Sequence, residues 1–302
     1  MGPRDGLPGL ANLLSAHLAI AALALLPLLW LTRSRALAIA FGVLLIGGAL
    51  RFGDEWISTP APTALGTDLR VATWNLEFGA IGIAAGLDGL RSLEDVDIVA
   101  LQELTPEQAR AIELDPLLST TYPHRAMAPA PGTGGIGLLG TRPFSDVQSF
   151  SDPVSVRATV ELDGDTVVVH NAHPLPASIG TVTAMRLPVA YDSAARDEAL
   201  ARIRERMAMD MIDGEAVLLI GDFNVAPTEP GYEPLAAGLV DAHREIGSGP
   251  GWTWRPSRFE FLGVGLLRID YVFMRGLEPL AITTDCTRPG DHCLVVVDLA
   301  RR

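Results

Sequence analysis

Leu218-Leu-Ile-Gly-Asp-Phe-Asn224 is an apolar run that stops at a small residue and then presents a carboxylate and a carboxamide two positions apart. Side chains alternate along a strand, so Asp222 and Asn224 leave the end of the sheet on one face while Phe223 turns to the other. An acid and an amide at a strand end suit phosphoryl chemistry. The pattern recurs along the chain. Arg70-Val-Ala-Thr-Trp-Asn75 ends in an amide, Asp97-Ile-Val-Ala-Leu-Gln-Glu103 in an acid and Val167-Val-Val-His-Asn-Ala-His173 in an imidazole. Arg268-Ile-Asp270 opens a further strand, and Asp291-His292 precedes the last one.

In this ordered set the chain resembles the endonuclease/exonuclease/phosphatase superfamily with its DNase I-like fold. The resemblance covers Leu69 to Leu299. Asn75 matches the first-strand Asn, Glu103 in Leu101-Gln-Glu the metal-binding Glu, and His173 a position held by His or Tyr. Asp222 and Asn224 match the Gly-Asp-Phe-Asn motif, Asp270 the Arg-Ile-Asp motif, and Asp291-His292 the terminal Asp-His pair. Gly135-Ile-Gly-Leu-Leu-Gly-Thr-Arg-Pro143 resembles the strand that usually ends in Ser-Arg or Ser-Lys before Pro, from which Gly140 and Thr141 depart.

The resemblance implies an α/β fold, a four-layer α/β/β/α sandwich, and a hydrolase of phosphodiester bonds that depends on Mg²⁺, with Mn²⁺ as an alternative. Hard cations take oxygen ligands and keep several waters, so one or two protein carboxylates suffice. The family pattern makes Glu103 the direct ligand, with Asn75 and Asp291 beside it. Asp222 would orient or deprotonate the attacking water. His292, paired with Asp270, is a second candidate base. His173 would stabilise the phosphate or protonate the leaving oxygen, and Asn224 would donate its amide to a phosphate oxygen.

Much of the 48% hydrophobic content sits at the start of the chain. Leu10 to Leu31 carries no charge, and at about 1.5 Å per residue it is long enough to cross a hydrocarbon layer of about 30 Å. Ala36 to Leu50 is a second, shorter apolar run. A secretory signal has an apolar stretch of roughly 7 to 15 residues and a basic start, whereas here Arg4 is offset by Asp5. Residues 1–51 are therefore expected to form a transmembrane helical hairpin. Arg33 and Arg35 in the connecting loop place that loop in the cytoplasm and the catalytic domain outside, with Arg51 as a competing charge. Residues 52–67, which include Thr59-Pro-Ala-Pro-Thr63, read as a semi-extended linker, and residues 68–302 as the catalytic domain.

A net charge of −13 weighs against a long nucleic acid bound through a broad basic surface, without deciding the matter, since acids gathered around a metal contribute to it. The chain has no lysine. Nothing in the sequence points to a protein partner. Cys286 and Cys293 flank the Asp291-His292 loop, and both a cross-strand bridge and two reduced thiols remain open.

The expected strands lie near 69–76, 97–103, 135–140, 154–162, 166–172, 217–223, 251–255, 268–274, 279–285 and 293–299. A tight Asp163-Gly-Asp turn joins two of them. Helices are expected over 81–93, over 105–118 with Thr105 as cap and Pro106 in the first turn, and over 193–212, where Leu200, Ile203, Met207 and Met211 form a core stripe. Trp252 and Trp254 suit either a pocket rim or a core strand. Phe259-Glu-Phe-Leu-Gly-Val-Gly-Leu-Leu267 suits contact with lipid or internal packing equally. Two other readings stay open: a secreted nuclease released by signal cleavage, and a catalytically silent membrane-anchored binding module.

Overall fold

The computed structural model describes residues 5–32, 34–57, 66–182, 187–212 and 215–301. At the N-terminus, α1 (Gly6–Leu13), α2 (Ser15–Thr32) and α3 (Arg35–Trp56) precede the sheets. The first apolar run is thus two helices, bent by 63° at Leu14. The second run lies in α3, which continues past Leu50 to Trp56, so the first residues of the expected linker are helical. Most of that linker, residues 58–65, lies outside the described residues. Within α3, Arg35–Gly53 is long and apolar enough to cross a membrane, with a mean hydropathy of 2.0 and 6% of it buried.

One sheet contains β1 (Leu69–Asn75), β2 (Ile98–Gln102), β3 (His124–Ala128), β4 (Ile136–Gly140), β13 (Leu277–Asp285) and β14 (Leu294–Arg301). Its order is β13-β14-β1-β2-β4-β3. The other contains β5 (Phe144–Ser151), β6 (Val154–Leu162), β7 (Asp165–His173), β10 (Ala216–Asp222), β11 (Val240–Asp241) and β12 (Asp270–Arg275), in the order β11-β12-β10-β7-β6-β5. A hairpin of β8 (Ser178–Val182) and β9 (Leu187–Asp192) stands apart. β1 and β2 are parallel, as are β7 and β10, while the remaining pairings in the two main sheets are antiparallel.

The Val, Ile and Leu runs that predicted strands point one set of side chains inward, where Val71, Ile98 and Val297 of one sheet meet Val169, Leu218 and Val272 of the other. The opposite set packs under helices. Trp74, Val99 and Leu101 lie with Leu90 of α4 (Ile83–Arg91) and Ile112 of α5 (Pro106–Leu114). Val217 and Leu219 lie with Leu200, Ile203 and Met207 of α7 (Ala194–Ile212) and Tyr232 of α8 (Tyr232–Ala236). Two sheets faced by helices on both outer sides give the expected α/β/β/α sandwich.

The expected helix over 105–118 is two helices. Thr105 and Gln108 form a reciprocal capping box on α5, which stops at Asp115, and α6 (Pro116–Thr121) starts again with Asp115 as its cap. Pro116 supplies no amide hydrogen, so it ends one helix and opens the next. The expected strand at 251–255 is reduced to isolated bridges from Trp254 to Leu267 and His292. Its backbone serves the site instead of a sheet.

Candidate active site

Strands β1, β2, β7 and β10 all deliver their C-terminal ends to one edge of the sandwich, and β12 and β14 start there. Asp222 and Asp270 face one another in the antiparallel register of β10 and β12. Asp291 and His292 lie in the turn before β14, separated from it by Cys293. This topology brings all eight residues singled out in the sequence to a single crevice.

Contacts run continuously through that crevice. His173 Nε2 lies 3.6 Å from Glu103 Oε1 and 3.4 Å from Asp222 Oδ2. On the far side of Asp222, His292 Nε2 is 3.6 Å from the same Oδ2, and its Nδ1 is 3.0 Å from Asp270 Oδ2. His292 Nε2 also lies 4.0 Å from Asp291 Oδ1. The Asn75 side-chain amide donates to Asp222 Oδ2 at 3.0 Å, and the Asn224 backbone N–H donates to Asp222 Oδ1 at 2.9 Å. Both oxygens of Asp222 are therefore pinned.

Local backbone chemistry sets these positions. Gly221 has φ +141°, and a Cβ there would stand 2.2 Å from the Ala172 carbonyl oxygen, so the residue before Asp222 must be glycine. Phe223 turns away into the core with Tyr271 and Phe273. Asn224 takes the left-handed conformation at φ 51°, which Asn tolerates better than most residues, and its side chain donates to the Pro174 carbonyl. One of its two amide hydrogens is committed to that tie, which joins the loop after β10 to the loop after β7. Asn75 Oδ1 accepts the Glu77 N–H, so Asn75 works here as a brace for Asp222 and its loop.

Electrostatics follow from burial and proximity. Burial opposes charge on His292, but Asp270 and Asp222 outweigh it and push the imidazole up to about 10. Burial likewise opposes charge on His173, where Asp222 and Glu103 outweigh it, and the value rises. His173 Nδ1 lies 3.2 Å from the Thr133 carbonyl oxygen and donates to it, which leaves Nε2 to face the carboxylates. Burial opposes ionisation of Asp222 too, yet both imidazoles and the Asn224 amide hold it below its ordinary value. Glu103 is raised by burial against the pull of His173. Asp291 is pushed up to about 6 by burial, against the pull of His292 and with repulsion from Glu77 and Glu103.

Glu103 and Asp291 are thus carboxylates near enough for Glu103 to repel charge on Asp291, and their negative charge is incompletely compensated. Asp291 Oδ1 is also buried with no hydrogen-bond partner among the described residues. Oxygen donors with unspent negative charge fit a hard divalent cation. Asp222, Asp270 and His292 also bring ligand atoms within 4.8 Å of one another, but hydrogen bonds already tie the latter two together.

Further residues support these positions, among them Arg196 and Gln102, which the sequence did not single out, and Trp254 and the two cysteines, whose roles it left open. The Trp254 indole donates to Asp291 Oδ2 at 3.2 Å, which fixes the carboxylate from behind. Thr253 Oγ1 accepts the backbone amides of Ile269 and Asp270. Arg196, fully buried on α7, donates to the Asn224 carbonyl oxygen and to Glu229. Gln102 on one sheet donates to Asn171 on the other, and Asn171 donates to the Leu101 and Gly137 carbonyls. Arg268 pairs with Asp241 at 2.6 Å and leaves Asp270 free for His292. Cys286 and Cys293 are joined by a disulfide that closes the loop carrying Asp291 and His292.

The chain has structural relatives of very different activities. A 3' phosphatase from Neisseria bound to a product DNA hairpin is 19% identical, with a TM-score of 0.59 over 77% of this chain and 99% of that one. Sphingomyelinase C from Streptomyces griseocarneus is 18% identical, with a TM-score of 0.54 over 80% and 99%. An AP endonuclease from Archaeoglobus fulgidus is 18% identical, with a TM-score of 0.57 over 76% and 98%. At these identities the likeness establishes the fold alone. No curated protein matches the chain in sequence. Residues 72–292, well over half of the chain, match the sequence profile of the Endonuclease/Exonuclease/phosphatase family, and the chain belongs to that family.

Proposed function

We propose that the protein is a membrane-anchored phosphodiesterase that uses a divalent cation, Mg²⁺ or Mn²⁺, and works outside the cytoplasm. The observation that carries this reading is the convergence of Glu103, Asp222 and Asp291 with two imidazoles in one crevice. Glu103 and Asp291 would hold the cation, with Asn75 bracing the site. A bound cation polarises a phosphoryl oxygen and offsets the charge that grows during in-line attack.

The chain's own groups do the rest. Asp222, fixed through both oxygens, orients the attacking water and accepts one of its protons. The water oxygen bonds to phosphorus, one P–O ester bond breaks, and the departing alkoxide takes a proton. His292, flanked by Asp270 and Asp222, supplies positive charge against the phosphoryl oxygens. His173, anchored by Thr133, stands where it can give its Nε2 proton to the leaving oxygen. The free amide hydrogen of Asn224 is available to phosphate.

Membrane anchoring is supported by α3 and by the bent α1–α2 pair. Retention of the N-terminal segment, as against cleavage of a signal, is supported by its packing: Leu13 lies against Tyr191 and Ala226, and the Asn12 side chain donates to the Thr228 carbonyl. An extracytoplasmic catalytic domain is supported by the disulfide and by the two arginines of the Thr32-Arg-Ser-Arg35 stretch that joins the two apolar runs in the sequence.

The test is hydrolysis of bis(p-nitrophenyl) phosphate by the full chain in lipid nanodiscs. Turnover should need Mg²⁺ or Mn²⁺, stop with chelator and fall at least 100-fold in Glu103→Gln. Activity that survives both changes overturns the metal-dependent reading.

A further inference from the structure

The site's rim is apolar where a reader of water-soluble phosphoesters needs no apolar surface. Phe78 follows β1 just past Asn75, Leu175 and Ile179 follow β7 just past His173, and all three are exposed. The loop over residues 255–266 closes on Trp254, whose carbonyl accepts the Leu266 and Leu267 amides and whose indole holds Asp291. Its tip carries Phe261, 81% exposed, together with exposed Leu262 and Val264. The loop leans over the crevice, since Ser257 donates to Glu77 and Glu260 accepts the Gly290 amide next to Asp291.

The hairpin is rooted beside this rim. His17 of α2 stacks on Trp252, with ring centroids 4.5 Å apart, and Leu13 shares a cluster with Ala177, Ala226 and Leu267. Ala177, Ala226 and Leu267 lie in the segments next to His173, Asn224 and Asp270. The other foot, at the end of α3, is fixed by the Gly249 amide donating to the Trp56 carbonyl. Both feet stand on the catalytic domain, so the far end of the hairpin points away from it.

On the membrane-anchored reading, the hairpin sets the level of the bilayer. The apolar stretch Arg35–Gly53 is 19 residues long, which at about 1.5 Å per residue matches a hydrocarbon layer of about 30 Å. With Arg35 at one boundary, the other falls at Gly53, next to stacked Phe52 and Trp56 and level with the hairpin's feet. Aromatic rings concentrate at that level of a membrane protein. The loop that bears the exposed tip closes at its base on Trp254 and Leu267, next to the Trp252 ring and Leu267 side chain on which His17 and Leu13 pack, and its Arg258, over the Phe259 ring at 4.9 Å, suits lipid phosphate.

Resting on the phosphodiesterase reading above, we propose that the rim loops, led by Phe261, Leu262 and Val264, dock on the bilayer that holds the hairpin, and that the substrate is the phosphodiester of a phospholipid headgroup in that bilayer. Water adds to phosphorus, one ester bond breaks, and a phosphomonoester and an alcohol result. The overall charge of −13 favours this substrate over a polyanionic strand.

The experiment uses the full chain in vesicles of phosphatidylcholine and phosphatidylglycerol. An environment-sensitive fluorophore on Val264→Cys should shift to the blue and be quenched by nitroxide lipids, while the same label on Leu117→Cys should not. The rate on vesicle lipid divided by the rate on bis(p-nitrophenyl) phosphate should fall at least tenfold in the triple variant F261S/L262S/V264S. A tip label that stays in water, an unchanged ratio, or faster cleavage of a single-stranded oligonucleotide than of lipid overturns the proposal and leaves the phosphodiesterase reading standing. A wild-type chain inactive on the soluble diester overturns that reading and the lipid substrate with it.

Discussion

Asp270 and His292 form a buried pair in which imidazole Nδ1 lies 3.0 Å from one carboxylate oxygen and 3.1 Å from the other. The pair is a product of sheet register, because β12 places Asp270 opposite Asp222 and the start of β14 drops His292 between the two carboxylates. A positive ring held between two acids is fixed in orientation before substrate arrives. Replacing Asp270 with Asn keeps the shape and removes the charge. We expect Asp270→Asn to lower kcat on a soluble diester by a factor of roughly 100 or more with little change in KM. Steady-state kinetics beside an unchanged near-UV circular dichroism spectrum checks this.

The Trp254 indole acts on Asp291 from behind, and partners of this kind tune metal affinity without touching the metal. Trp254→Phe keeps most of the ring and removes only the N–H donated to Asp291. The cation concentration for half-maximal rate should rise by roughly 10-fold, with the rate at saturating cation within a few-fold of wild type. A cation titration of the rate separates this from a loss of folded protein, which would lower the maximum and leave the midpoint in place.

How far the sequence could be read depended on the range of the interaction. Asn75, Glu103, His173, Asp222, Asp270 and His292 were legible because each ends or opens an apolar run, and strand ends in such a sandwich collect on one edge. Arg196 was not. In the sequence it is one charge among several on an amphipathic helix, and its burial depends on Glu229 and the Asn224 carbonyl, which only the tertiary fold brings near. Arg268 shows the same limit from the other side. It lies two positions before Asp270, but β12 begins only at Asp270, and its guanidinium pairs with Asp241, a partner that only the tertiary fold brings near. The edge strands β3 and β5 escaped notice because their exposed faces are polar and they lack a continuous apolar run.

Gly221 is the small residue at which the first quoted run stops, and its role is steric. A methyl group there meets the Ala172 carbonyl of the neighbouring strand at 2.2 Å, and the φ of +141° is unfavourable for any L side chain. We expect Gly221→Ala to cost about 3 kcal/mol of stability from strain and forced strand separation. Activity should fall further than the loss of folded protein explains, since Asp222 moves with the backbone. Urea unfolding together with kcat per folded molecule tests both parts.

Asp210 gives the fold a pH dependence away from the crevice. Its carboxylate takes Arg157 at 2.6 Å and His170 at 2.7 Å, a network on the outer face of the second sheet. Burial opposes its ionisation, but His170 and Arg157 outweigh it and hold the group well below the ordinary carboxylate range. A depressed folded-state value means that the stabilisation is complete above the unfolded-state value of about 4 and fades as pH falls below it toward the folded-state value. Asp210→Asn should therefore cost about 3 kcal/mol at pH 7, because Arg157 and His170 lose their partner. The gap between variant and wild type should narrow as the pH drops below about 4. Urea midpoints measured at neutral and at acid pH decide it, and a gap that stays constant across that range would show that the pair contributes no charge-dependent stability.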